Sequence, residues 1–82
     1  MYYVYVLQSR KDGNIYIGST SNLKKRFEVH NAGGVESTKL RRPLVLIFYE
    51  AFRSKTDALV DEKFFKSGYG REVLRGKIKN SL

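Results

Sequence analysis

The chain has 82 residues, no cysteine, and sixteen Lys and Arg against eight Asp and Glu, a net charge of +8. That length fits one domain with a small core, and the missing cysteines exclude disulfides and thiolate metal sites. A signal-peptide pattern and a long apolar run are both absent, so the expectation is a soluble cytoplasmic protein with no membrane partner, its charge suited to a polyanion such as nucleic acid.

The first elements are MYYVYVLQS and GNIYIGS, flanking KDG. Apolar runs around Asp12-Gly13 predict a β-hairpin. With Asp12 and Gly13 as a two-residue loop, Ser9 faces Tyr16. Odd positions of the first strand then share a face with even positions of the second. Val4, Val6, Ile15 and Ile17 line one face; Tyr3, Tyr5 and Tyr16 line the other.

TSNLKKRFEVHNAGG follows as a helix, with Ser21 or Asn22 as N-cap and Gly33 or Gly34 as its stop. Leu23 and Phe27 make an apolar seam. Arg26 and His30, also four apart, are neighbours on the face bordering that seam. VESTKLRRP reads as a basic loop closed by Pro43. PLVLIFYEAF is apolar on both parities and reads as a third strand of the same sheet. Ser54-x-x-Asp57 resembles a capping box and opens the helix TDALVDEKFFKSG. Gly68 and Gly70 break it, and a last amphipathic helix runs from about Arg71 to Asn80, with Leu74, Ile78 and Leu82 on its seam. The order β-β-α-β-α-α predicts an α+β fold: a small three-stranded antiparallel sheet flanked by helices, in a single domain over residues 1–82.

Glu62 is the most informative position. It falls within the arc that Ala58, Leu59 and Phe65 define, where a carboxylate costs stability unless paired or bound to a cation. Asp61 is read as pointing away into solvent. Taken singly, the other polar residues have bland readings. Lys24 and Lys25 suit a solvated helix face, His30 a structural histidine, and the tyrosines core aromatics with a wet hydroxyl.

Together they take a recognisable form. Tyr3-Val4-Tyr5, Tyr16-Ile17-Gly18, then Arg26, His30 and the later helical Glu62 resemble the GIY-YIG nuclease family over essentially the whole chain. The chain is similar to small stand-alone members that resemble the nuclease domain of the bacterial excision-repair endonuclease. Tyr3 stands where the first motif has glycine, and Ser19 where some members carry lysine. Asn80 is the only late candidate for an asparagine that some members use.

The resemblance implies a metal-dependent DNA endonuclease that hydrolyses phosphodiesters, structure-selective and linked to repair or recombination. The implied catalytic residues are Tyr5, Tyr16, Arg26, His30 and Glu62. Glu62 would hold Mg2+ (or Mn2+), Arg26 the scissile phosphate, and one tyrosine the attacking water, with Tyr5 favoured. Beside it, the charge pattern gives backbone contacts to DNA from Lys24, Lys25, Lys39, Arg41, Arg42, Lys63 and Lys66, with Gly18 leaving room for the phosphate. A protein partner could supply specificity. The alternative is a non-catalytic nucleic-acid-binding module, which has no need of Glu62.

Overall fold

Ser9 and Asn14 close the first hairpin, with the Ser9 N–H on the Asn14 carbonyl at 2.9 Å. The computed structural model describes residues 1–82. In it β1 (Tyr2–Ser9) and β2 (Ile15–Thr20) pair with Leu7 opposite Tyr16 and Tyr5 opposite Gly18. The loop is therefore Arg10 to Gly13, longer than the Asp12-Gly13 turn expected from the sequence. Ser9 Oγ accepts from the Lys11 and Asp12 amides, Asp12 Oδ1 accepts from the Asn14 amide, and Gly13 takes φ +75°. Side-chain capping of this kind stabilises a wider turn than the dipeptide alone implies. Because the two loops differ by an even number of residues, the facing of every side chain is preserved.

The remaining elements follow the expected order: α1 (Leu23–Asn31), a short 3-10 turn (Lys39–Arg41), β3 (Leu44–Phe52), α2 (Lys55–Lys66) and α3 (Gly68–Ile78). The sheet order is β2-β1-β3, antiparallel throughout. Asn22 caps α1, its side chain accepting from the Lys25 amide, and Gly33 at φ +83° follows the helix end. The last helix starts earlier than Arg71. Ser67 caps it by accepting from the Gly70 amide, and a Cβ on Gly70 would lie 1.7 Å from the Phe64 carbonyl oxygen. Gly70 thus permits a close join between α2 and α3 rather than breaking a helix. Leu82 lies beyond α3 and is exposed.

Helices cover both faces of the sheet. Val4, Val6 and Ile17 pack against Ala58, Phe65, Leu74 and Ile78 of α2 and α3. On the other face Tyr5, Leu7 and Leu44 pack against Leu23 and Phe27 of α1. This explains why β3 is apolar on both parities. A register shift beside Val6 and Leu7 also leaves Ile47 without a partner, and Ile47 and Phe48 both pack against the first core. Leu74 is fully buried there, and truncating it to Ala would cost about 2–5 kcal/mol.

Candidate active site

The tyrosine face carries a buried chain of hydrogen bonds. Tyr5 Oη lies 2.9 Å from His30 Nε2, and His30 Nδ1 lies 2.8 Å from Thr38 Oγ1. His30 and Thr38 are fully buried. The spacing of α1 puts His30 under the sheet, while the loop after α1 returns Thr38 to its far side. Burial, then the Arg26 charge, holds the His30 pKa below its ordinary value, so the ring is neutral. Arg26 Nε donates to Tyr5 Oη at 3.4 Å, which leaves the Tyr5 proton directed at Nε2. The network thereby assigns the Nδ1–H tautomer, with Thr38 accepting.

Burial raises the Tyr5 pKa, and the hydrogen bond from Arg26 only partly opposes it. Tyr5 is a phenol at neutral pH. It is 1% exposed, whereas Tyr16, on the edge strand β2, is half-buried. The two rings lie 6.4 Å apart, and Tyr16 meets the His30 ring edge-on at 5.1 Å. Gly18 is not open to a phosphate as the sequence suggested. It is buried, and a Cβ there would lie 2.5 Å from Tyr5 Oη. The missing side chain makes room for Tyr5.

Glu62 lies on the opposite face of the sheet from Tyr5, beside β2. Ser19 Oγ donates to its Oε1 at 2.6 Å, and Lys66 Nζ to its Oε2 at 2.7 Å. Burial pushes the Glu62 pKa up, but the bonds from Lys66 and Ser19 outweigh it, and the carboxylate stays ionised. Its charge is close enough to raise the Tyr5 pKa. No three His, Cys, Asp or Glu side chains cluster, so the donor set is a single hard carboxylate. That fits magnesium, which keeps several waters and takes other ligands from phosphate. The exposed Lys66 ammonium is the group a cation would displace.

Asp61 does not point into solvent. Ala58 and Phe65 form the buried seam of α2, Leu59 is exposed, and the two carboxylates flank the seam. Asp61 Oδ2 is buried without a partner. Burial, then the Glu50 charge, raises the Asp61 pKa, with Lys77 opposing.

Of the cations read from the sequence, the structure brings Arg41 and Lys66 to a cleft of about 300 Å3 beside Tyr16, together with Arg71. Lys39 pairs with Glu36, and the Arg42 guanidinium packs over Gly33. Lys24, Lys25 and Lys63 are exposed outside this cleft, and Asn80 is exposed in the turn after α3. Sequence reasoning missed Ser19, Thr38 and Arg71. Ser19 was legible as a polar residue on the aliphatic face of β2; Thr38 and Arg71 carried no local signal.

An α+β domain of this element order, with Tyr5, Tyr16, Arg26 and His30 gathered on one face of the sheet and a helical Glu62 held by Ser19 of β2 on the other, fits a GIY-YIG catalytic domain. The sequence model of that domain matches residues 1–76, and the chain belongs to the GIY-YIG family. It is 43% identical over 75 residues to a UPF0213 protein of Staphylococcus haemolyticus, covering 90% of each chain. It is 46% identical over 65 residues to a UPF0213 protein of Streptococcus pyogenes, covering 78% of this chain and 70% of the other. The solution NMR structure of a UPF0213 protein of Bacillus halodurans superimposes with a TM-score of 0.57 at 35% identity, over 93% of this chain and 84% of that one. The family supports a nuclease role.

Proposed function

We propose that the domain hydrolyses DNA phosphodiesters at the edge of β2, with Arg26 on the scissile phosphate. The observation that carries this reading is the Tyr5–His30–Thr38 chain beside Arg26, a hydroxyl coupled to a neutral base. As the water oxygen attacks phosphorus, its proton passes to Tyr5 Oη and the Tyr5 proton passes to His30 Nε2. One P–O bond forms, one breaks, and the leaving oxygen takes a proton from solvent. Arg26 caps the Tyr5 hydroxyl, so drawing Arg26 onto a phosphate opens that oxygen to water. The guanidinium fork also suits the charge that builds on the phosphoryl oxygens. Tyr16, the more exposed tyrosine, positions the water.

Glu62 would hold magnesium or manganese, which would supply positive charge against the phosphate and the charge that develops on it. The cut is structure-selective and serves DNA repair or recombination in this reading. The test is cleavage of branched, flapped, nicked and plain duplex DNA with magnesium and with chelator. Wild type should cut only with the metal, and Glu62→Gln should not cut while keeping its fold. Unchanged cleavage by Glu62→Gln would remove Glu62 from the mechanism. A second reading, DNA binding without hydrolysis, is favoured by the Lys66 ammonium already seated on Glu62. It predicts tight binding and no product under any metal.

A further inference from the structure

The face that carries Tyr5 has a second feature that phosphodiester chemistry does not use. One step along β1, Tyr3 meets Tyr49 of β3 edge to face, with centroids 6.0 Å apart and planes at 65°. Tyr49 sits opposite Tyr5 on an edge strand and is 53% exposed. The two rings line a cleft of about 530 Å3 together with Asn22, Leu23, Lys24 and Phe27 from the start of α1. That volume is in the range of small-molecule sites, roughly 300–1,000 Å3.

We propose that this cleft stacks an unpaired base of a single-stranded or flapped DNA strand whose backbone continues over Arg26. The inference rests on the nuclease reading and names its substrate class. Aromatic side chains stack on any base, because every base has a π-face. In a duplex those faces are covered by neighbouring bases, so an exposed tyrosine platform selects for a strand that has left the helix. The remaining lining suits a nucleotide. Lys24 supplies a cation for the phosphate at the rim of a +8 chain. Asn22 uses Oδ1 to cap α1, which leaves its amide NH2 to donate to a base edge. Leu23 and Phe27 also pack against the Tyr5 cluster, so the cleft and the reacting groups share one wall. Tyr3 and Tyr5 are two residues apart on one face, about 7 Å along the strand.

The test is binding in chelator, so that it stands apart from cleavage. Three fluorescent probes are titrated: an oligothymidylate, an abasic strand of the same length and charge, and a duplex. Tyr49→Ala should weaken oligothymidylate binding about ten-fold, equal to about 1.4 kcal/mol and within the range of base–aromatic stacking. It should leave the abasic strand and the duplex unchanged. Tyr49→Trp should restore the affinity, which separates stacking from any effect on folding. An equal loss on all three probes, or no loss on oligothymidylate, overturns the proposal. If these results hold and no metal supports cutting, the stacking site survives and the nuclease reading fails.

Discussion

The hydroxyl of Tyr5 lies 2.9 Å from Nε2 of His30, and both residues are shut off from solvent. A tyrosine alone is a poor base at neutral pH, its ordinary pKa being about 10. Burial raises that of Tyr5 further. Proton removal therefore depends on the imidazole behind it. His30→Gln keeps a hydrogen-bonding side chain but no comparable base, and should slow single-turnover cleavage by about 10²–10⁴. The pH profile gives a second readout. His30 has its pKa lowered from 6.5 by burial and then by Arg26. A base with a depressed pKa contributes stability that is present above its unfolded value and lost as pH falls through its folded value. Thermal stability should begin to fall as pH drops below 6.5, and the cleavage rate should fall at lower pH, through the depressed folded value. The His30→Gln variant should lose both acid limbs. A wild-type limb that persists in the variant would assign the titration to another group.

Gly18 and Tyr5 face each other across the β1–β2 pair, and the contact leaves no space for a methyl group. A Cβ at Gly18 would lie 2.5 Å from Tyr5 Oη and 2.6 Å from Cζ. Tyr5 is packed beneath α1 and cannot swing out. Gly18→Ala should cost about 1–3 kcal/mol by overpacking and displace the hydroxyl from His30. Activity should fall further than stability. Tyr5→Phe in the Gly18→Ala background should recover part of the melting temperature without recovering cleavage. Wild-type cleavage by Gly18→Ala would show that the Tyr5 hydroxyl need not stay on His30.

The faces of the hairpin were legible because side-chain alternation survives any even change in loop length. The loop itself was not, because its length is set by Ser9 and Asp12 side chains closing on backbone amides. Glu62 was legible as a charge on an apolar face. Asp61 is not legible because Leu59, apolar by sequence, is exposed, so the true buried face of α2 lies closer to Asp61 than the apolar pattern implies. Thr38 and Arg71 could not be read at all: each joins the site through the returning path of a loop or a later helix. The role of Gly18 is not legible, since strand pairing, not local sequence, brings Tyr5 over it.

Asp61 should be a cost to the fold. Its Oδ2 is buried without a partner, and Glu50 lies close enough to raise its pKa after burial itself. Asp61→Asn keeps the shape and removes the charge. At neutral pH it should raise the melting temperature by a few degrees, since about 1 kcal/mol is worth roughly 4–8 °C in a domain this size. Calorimetry of the two proteins checks this. A lower melting temperature for Asp61→Asn would mean that the Lys77 charge outweighs burial at this position.

Arg26 and the cations beside Tyr16 should separate rate from affinity. Arg41 and Arg71 line the cleft next to Tyr16 and Lys66 but do not touch Tyr5 Oη. Backbone contacts release counterions, so log K should fall with log salt by about 0.9 per duplex phosphate engaged. Changing both Arg41 and Arg71 to Ala should weaken binding alike across DNA sequences and flatten the salt slope by about one to two, since the Arg41 Nε already donates to Asp12 Oδ2 at 3.2 Å. The single-turnover rate at saturating DNA should be largely kept, because the contacts made in the transition state lie elsewhere. Arg26→Ala should do the reverse, with little loss of binding and a large loss of rate. Arg42 serves as the control. Its Nε donates to the Lys39 carbonyl at 2.7 Å and its guanidinium packs over Gly33, so Arg42→Ala should leave the slope as it is. Titrations across a salt series with cleavage on the same DNA distinguish these outcomes. An unchanged slope for the Arg41 and Arg71 double variant would move the DNA path off the β2 edge.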